Sequence, residues 1–457
     1  MNTKKSTIKY FYLFLISHLV LWTIVPTLSN QNLPLDTIEA LAWGSNLDWG
    51  FNKHPPFSAF AVEVFYQLFG NQDWAYYFLS QIFVVIAFYF VFKFANEFSN
   101  NLQLSFLSVL LLEAIYFYNY TTPEFNVNVS QLPFWALTVF FTWRCIKSDK
   151  ILNYIFLGIV ISLGILSKYL FLYLVLSVKL LFIYLMIKRK KIFRLNLMIP
   201  GAVVLLITFP HLNWLIENDF ITLKYGFERS GGIGNLFQHL IYPLSFVLKQ
   251  FLLLIPFFIL LFFLIKKIKL KKLRNNERII FLFFTCLLPI IFVFLTSVIM
   301  GAKIRTMWMT PFYLFFGIFF IEVFKESIDL KKIKRFYYVF IFLFFLSPIT
   351  YFTVSTTNEF KRTDYPGKEI ARLVQNKWDD NFSNEINVVI GDEWFAGNLS
   401  YHLSSRPQWI IDLKGKTAEI KKGGGVIYTG NPKILKKICP GVYGTIKPVG
   451  YCMIGKR

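Results

Sequence analysis

The sequence predicts a polytopic α-helical membrane protein, with about eleven transmembrane helices and a small C-terminal α/β domain outside the cytoplasm. Three observations predict it. Of 457 residues, 55% are hydrophobic and only 16% charged, against roughly 25% charged in soluble domains, so the chain cannot cover a water-facing surface. The apolar residues fall in stretches of membrane-crossing length. The cations, 48 Lys+Arg against 26 Asp+Glu for a net charge of +22, fall in short runs between those stretches. In a soluble protein that excess would point to nucleic acid. Here it marks one side of a membrane, and nucleic acid is not expected as a partner. Soluble cytosolic enzymes, disordered chains and secreted disulfide scaffolds are excluded by the same figures.

A membrane helix needs about 20 apolar residues. Stretches of this kind lie near 8–28, 74–95, 103–121, 128–145, 152–168, 169–187, 195–213, 241–265, 279–299, 309–324 and 336–354. The first has a long apolar core and no small-residue cleavage site after it, so it reads as an uncleaved helix rather than a signal peptide. Lys4, Lys5 and Lys9 precede it. Arg144, Lys147 and Lys150 follow the fourth stretch, and Lys188-Arg189-Lys190-Lys191 the sixth. Lys266, Lys267, Lys269, Lys271, Lys272, Arg274 and Arg278 follow the eighth; Lys331, Lys332, Lys334 and Arg335 the tenth. Every cluster comes after an even-numbered stretch. All therefore share one side with the N-terminus, and the positive-inside rule makes that side the cytoplasm.

The other side receives the loop 29–73, the short loop 119–127, the loop 214–240, the turn 300–308 and the tail from about 355 to 457. In the tail, Asn387-Val388-Val389-Ile390 and Gly425-Val426-Ile427-Tyr428 read as strands and Gly367 to Trp378 as an amphipathic helix. The expected division is a membrane domain over 1–354 and an α/β domain over 355–457. Cys145 and Cys286 read as small buried hydrophobes. Cys439 and Cys452 lie in the tail, where a disulfide is open to them if the tail is outside the cytoplasm.

Acids at the outer mouth of a helix bundle are functional candidates by default, because charge at membrane depth is costly. Asp36 and Glu39, three residues apart, fall on one face of a helix. Such carboxylates hold a divalent cation or accept a proton from a hydroxyl; the plainer reading of Asp36 is a helix cap. In Asn52-Lys53-His54-Pro55-Pro56 the prolines fix an extended turn and present Lys53 and His54, where a cation meets a phosphate. Glu124 adds a carboxylate in the next outer loop, with Asn126 and Asn128 as amides for sugar hydroxyls or a metal. Lys168 stands at the junction of two stretches. His211 and Arg229 lie among aromatic rings, a setting suited to a sugar and its phosphate. Lys303 and Arg305 lie outside, against the general charge bias, as a polyanionic ligand would require. No P-loop, GxSxG, HExxH, GxGxxG or CxxC pattern is present.

These residues resemble a family. Leu35-Asp36-Thr37-Ile38-Glu39-Ala40, Trp43-Gly44, Leu47-Asp48-Trp49-Gly50 and Lys53-His54-Pro55-Pro56 are similar to the first outer loop of the GT-C superfamily of polyprenyl-phosphate-sugar-dependent glycosyltransferases. The branch is that of protein O-mannosyltransferases and of lipid A aminoarabinose or galacturonic acid transferases. The resemblance continues through Thr122-Pro123-Glu124-Phe125-Asn126, Ser167-Lys168-Tyr169, Pro210-His211-Leu212-Asn213-Trp214, Gly391 to Asn398 and Arg406-Pro407. One position departs: many members carry an Asp-Glu pair, whereas Thr37 follows Asp36 and the next acid is Glu39.

The resemblance implies inverting transfer from a lipid-linked sugar phosphate, with Asp36 as the catalytic acid of the first loop and Glu124 as the second-loop acid serving metal or acceptor. His54 stands where some members have Lys before Pro-Pro, near the donor phosphate, with Lys53, Lys168 and Arg305 as further phosphate ligands. Glu39, Asn126, His211 and Arg229 are expected on substrate, and Asp36 and Glu124 are the pair for a divalent cation. The expected partners are a polyprenyl-phosphate sugar donor, a lipid A, lipopolysaccharide-core or other surface glycan acceptor, and membrane lipids. The expected location is the bacterial inner membrane, multi-pass, with the N-terminus cytoplasmic and the C-terminal domain periplasmic. Rival readings are a protein O-mannosyltransferase, a transporter or flippase of a lipid-linked sugar, and a non-catalytic assembly protein. Transporters usually show inverted repeats and broken midplane helices, and neither is visible in the sequence.

Overall fold

Long apolar runs without charge have nowhere to satisfy their backbone in lipid except within a helix, and most of the chain follows that rule. A computed structural model describes residues 2–189, 195–231, 235–265, 276–330, 333–411 and 424–457. Lys190, Lys191, Lys266, Lys267, Lys269, Lys271, Lys272, Arg274, Lys331 and Lys332, on which the charge parity partly rests, lie outside the described residues.

The helices are α1 (Asn2–Ser29), α2 (Leu35–Gly44), α3 (Phe57–Phe69), α4 (Asp73–Ser99), α5 (Leu102–Leu110), α6 (Val127–Ser130), α7 (Leu132–Lys147), α8 (Ile151–Ser167), α9 (Leu172–Arg189) and α10 (Ile199–Glu217). There follow α11 (Ile221–Arg229), α12 (Gln238–Leu253), α13 (Ile255–Leu264), α14 (Glu277–Leu282), α15 (Leu288–Met300), α16 (Phe316–Val323) and α17 (Lys334–Thr357). Every stretch expected to be a span is helical, but not every one is long enough to cross. Among the described residues six helices are long and apolar enough, or eight if the bent pairs α12 with α13 (48°) and Thr306–Tyr313 with α16 (56°) each count as one. The remaining expected spans are short. The segment Leu102–Ala114 ends in a 3-10 turn carrying the buried Glu113; α7 has 16 residues and α8 17. The expectation of about eleven thus overcounts the helices that pass on length. Polar interruptions at Glu113, Asn126 and Lys168 shorten three of them. The first outer loop is also not a loop: it folds into α2 and α3.

Within the bundle α4 packs on α1 and α7, and α8 on α7 and α10. Close approach is allowed where side chains vanish. A Cβ on Gly317 of α16 would lie 1.9 Å from the Ser108 carbonyl oxygen of α5. His18 of α1 and Glu113, both buried, pair at 2.9 Å, which gives each buried polar side chain a hydrogen-bond partner. The helix α9 spans the two ends of the bundle. Leu181 and Leu185 line a small cavity of about 190 Å³ with Trp143, Lys147 and Glu277. Leu172, Tyr173, Val175, Leu176 and Lys179 line a cavity of about 750 Å³ at the other end.

The tail forms a five-stranded sheet, β1 (Ile386–Ile390), β2 (Gln408–Ile410), β3 (Gly425–Gly430), β4 (Val442–Ile446) and β5 (Val449–Ile454), in the order β2-β1-β3-β5-β4. β1 runs parallel to β2 and β3, and β5 antiparallel to β3 and β4. Three helices accompany it: α18 (Gly367–Asp379), α19 (Phe395–His402) and α20 (Pro432–Ile438). The amphipathic α18 buries Ile370, Ala371, Val374 and Trp378. Cys439 after α20 and Cys452 on β5 form a disulfide, their Cα atoms 5.5 Å apart. The sheet domain is seated on the bundle by α19, which lies against α2: a Cβ on Gly397 would come within 3.1 Å of the Ala42 Cβ.

Candidate active site

The helix α2 begins after Pro34, which offers no side-chain cap, so its first-turn N–H groups need partners from elsewhere. One is supplied across the chain: the Asp36 N–H donates to Glu124 Oε1 at 3.0 Å. Thr37 Oγ1 donates to the Phe125 carbonyl at 3.1 Å. The second outer loop is thereby fastened to the first turn of α2, and Asp36 is not itself the cap. Its carboxyl is left free to face a cavity.

The loop beyond Glu124 is organised by Asn126, whose side-chain oxygen caps α6 by accepting from the N–H groups of Asn128 (2.9 Å) and Val129 (3.1 Å). That turn aims Asn128 at Lys168, whose ammonium donates to Asn128 Oδ1 at 2.6 Å and lies 5.4 Å from the Trp308 ring centroid. Lys168 occupies the extended residue between α8 and α9, where the chain cannot continue as helix and the buried side chain reaches inward. Lys53 Nζ sits 2.9 Å from Glu39 Oε1 and 3.2 Å from Glu393 Oε1. His54 is held between aromatic edges, 5.9 Å from Trp43 and 6.2 Å from Tyr225 by ring centroid.

Asp36, Glu39, Lys53, His54, Lys168 and Arg229 line one cavity of about 750 Å³, which continues along α9 and α15 past Leu172, Val175, Leu176 and Met300. A charged head thus opens into an apolar corridor. Glu124 and Asn126 stand behind Asp36 and shape its surroundings. His211 lies behind Tyr169, pairing with the Tyr169 hydroxyl at 2.7 Å and the Trp49 carbonyl at 2.6 Å. Arg305 is outside the lining, although Ile304 and Met307 beside it belong to it.

The electrostatics separate these groups. Burial raises the Asp36 carboxyl, with Lys168, Lys53, Arg362 and Arg229 pulling the other way. Glu124 is raised by burial and then by the charge of Asp36. Burial also raises Glu39, against the pull of Lys53. Burial works against the Lys53 charge, but Glu39 and Glu393 outweigh it and hold the ammonium above its ordinary value. His54 is pushed down to about 3 by burial and by the neighbouring Lys168 and Lys53. Near neutral pH its imidazole is therefore uncharged, and not the cation that its sequence position suggests.

Several participants were hidden in the sequence. Arg362 and Glu393 come from the tail, hundreds of residues from Asp36, and only the resemblance through Gly391 to Asn398 hinted that this segment reaches the site. Trp308 had no signal beyond the general abundance of aromatics, whereas Tyr225 belongs to the aromatic stretch around Arg229 that the sequence already marks. Among the described residues no group of three or more His, Cys, Asp or Glu is placed to hold a metal. Of the two carboxylates expected to hold a divalent ion, Asp36 lines the cavity and Glu124 does not.

Residues 53–214 match the family model for dolichyl-phosphate-mannose-protein mannosyltransferase. Over 232 residues, 49% of this chain, the sequence is 25% identical to the lipopolysaccharide core galacturonosyltransferase RgtB of Rhizobium johnstonii. That match spans 46% of the relative, a little under half its length. In three dimensions the chain is similar to ArnT from Cupriavidus metallidurans bound to undecaprenyl phosphate, with a TM-score of 0.65, 13% identity and coverage of 97% of this chain and 98% of that one. The apo state of the same ArnT gives a TM-score of 0.62 at 13% identity, covering 98% of each. At that identity the likeness is one of fold, and it runs through both the bundle and the sheet domain. The chain thus shares the fold of ArnT over nearly its whole length, and the mannosyltransferase family model matches the stretch from Lys53 to Trp214.

Proposed function

We propose that the protein is an inverting glycosyltransferase of the bacterial inner membrane. It moves a sugar from a polyprenyl-phosphate donor to a hydroxyl or phosphate of lipid A or lipopolysaccharide core at the outer face. The observation that carries this reading is the union of Asp36, Lys168, Lys53 and Arg229 at the head of a corridor lined by aliphatic side chains. That shape suits a phosphate carried on a long isoprenoid. The names of the relatives support it, since one acts on lipopolysaccharide core and the other is bound to undecaprenyl phosphate.

A second cavity of about 1010 Å³ lies on the far side of the chain that leads into α2, lined by Leu28, Asn30, Gln31, Arg362, Trp394 and Phe395. The Gln31 and Asn32 N–H groups both donate to the Thr363 carbonyl, at 2.9 and 3.0 Å; Gln31 lines this second cavity and Leu35, four residues on, lines the first. The acceptor approaches from this second cavity and the donor from the first. Asp36 accepts the proton of the acceptor hydroxyl as its oxygen bonds to the anomeric carbon. The bond from that carbon to the phosphate oxygen breaks, and the electron pair leaves with the lipid phosphate. Lys168 and Arg229 stabilise that charge where it develops, and the Asp36 proton later passes to solvent. Displacement from opposite sides inverts the anomeric centre. A divalent ion on Asp36 and Glu124 would add positive charge beside the phosphate.

The reading places the N-terminus in the cytoplasm and the sheet domain in the periplasm. The Cys439–Cys452 disulfide supports that side for the domain, since such bonds persist in oxidising compartments. The test is transfer from a defined polyprenyl-phosphate sugar in detergent, joined to mass spectrometry of lipid A and core from a strain lacking the protein. Loss of one sugar unit from core or lipid A is expected. An unchanged profile, with no transfer in detergent, refutes the assignment.

A further inference from the structure

The acidic turn between β1 and α19 belongs to the sheet domain, yet it touches Lys53 in the first cavity's lining. Its geometry is tightly fixed. Gly391 has φ +150°, and a Cβ there would lie 2.0 Å from Thr429 Oγ1. Asp392 Oδ1 accepts from the N–H groups of Trp394 and Phe395, each at 2.9 Å. Between these anchors Glu393, 8% exposed, projects toward the first outer loop. Its Oε1 accepts from Asn52 Nδ2 at 3.2 Å and meets Lys53 Nζ at 3.2 Å. The same ammonium donates to Glu39 at 2.9 Å. Lys53 therefore stands between two carboxylates, one carried by α2 and one by the sheet domain.

From this juxtaposition we infer that Glu393 is a positioning residue for the donor: it shares Lys53 with Glu39 and so sets, from the sheet domain, how much of the lysine's charge an incoming lipid phosphate can use. The inference rests on the donor reading given above. An ammonium has three donors, and here two are committed to carboxylates. A phosphate entering beside Lys168 draws on the third, or displaces the weaker partner. The longer contact and the bond to Asn52 make Glu393 the partner that yields. Donor arrival then loosens the one ion pair that joins the sheet domain to Lys53, while the packing of Gly397 on Ala42 and the contact of Arg406 with the Leu41 carbonyl (2.7 Å) and Glu63 (2.7 Å) hold the domain in place.

The test uses undecaprenyl phosphate alone as probe, bound to the full-length protein in detergent, beside donor KM and kcat. Glu393→Gln keeps the shape and an oxygen for Asn52 and Lys53 but removes the negative charge. Tighter binding of undecaprenyl phosphate, by about three- to tenfold, is expected, with a parallel fall in donor KM and no gain in kcat. In a Lys53→Gln background the same change should shift the affinity less than twofold, because the charge it acts through is gone. Unchanged or weaker binding in Glu393→Gln overturns the inference, as does an equal gain with and without Lys53. Wild-type protein that binds no undecaprenyl phosphate sinks the donor reading and this inference together.

Discussion

The backbone N–H of Asp36 donates to the side chain of Glu124 at 3.0 Å. The acid of one loop thus caps the helix that carries the acid of another. A residue placed this way is structural and electrostatic at once, so its removal must be read with both effects in view.

Asp36→Asn keeps the backbone contact to Glu124 and changes only the proton acceptor. Transfer should fall by about 10³-fold, within the range general for loss of a base. The melting temperature and elution volume of the detergent-solubilised protein should hold. Full activity in this variant refutes the role given to Asp36.

The pH dependence follows from the raised carboxyls. Transfer needs Asp36 ionised, so activity should rise with pH along a limb displaced above the ordinary carboxylate range. Glu124→Gln removes one of the charges that raise the pair, and the limb should move to lower pH in a kcat/KM profile. The limb belongs to the pair rather than to either residue. The effect on stability has the opposite sense. A carboxyl harder to ionise when folded makes the folded chain bind more protons. This contribution favours folding at acid pH and fades as pH rises through the folded values.

His54 should contribute no limb of its own near the ordinary histidine range, because its imidazole is pushed down to about 3. The profiles of wild type and His54→Gln between pH 5 and 8 should differ in height but superpose after scaling. A limb lost in the variant would show that the imidazole does titrate there.

Arg362 lines the second cavity and faces the ring of Trp394, 5.7 Å from its centroid. Arg362→Ala should raise acceptor KM about tenfold, the loss of one charge-assisted contact to an anionic group, and leave undecaprenyl phosphate affinity within about twofold. Steady-state kinetics with each substrate varied in turn distinguishes this from a general loss of fold.

Dialysis against EDTA checks the divalent ion. If Asp36 and Glu124 hold one that transfer requires, activity should drop and return with added magnesium or manganese. Activity that survives chelation assigns the phosphate's neutralisation to Lys168 and Arg229 alone.

The membrane bundle was legible because lipid imposes a single rule on the backbone, and hydropathy reports it directly. Strands β1 and β3 and helix α18 were legible from their periodicity. The number of crossing helices was less so, since a buried polar residue such as Glu113 or Lys168 ends a helix early without making the segment less apolar. At the site, Asp36, Glu39, Lys53 and His54 could be picked out by their nearness in one loop. Lys168 came from its place at a junction, and Arg229 from its aromatic surroundings. Arg305 could not be excluded by charge bias alone, because bias gives a side of the membrane and not a direction. Glu393 and Arg362 required the tertiary fold: nothing in local sequence says that an α/β domain will reach over and touch the first loop.

The contact between Gly397 and Ala42 has a consequence for anyone recombining these proteins. Because Gly397 has no side chain, α19 packs directly on Ala42 and Ile38 of α2, and the globular portion and the helix bearing Asp36 form a single mechanical piece. A chimera that exchanges the tail alone would tilt Asp36, so a working graft has to carry residues 30–60 along with it.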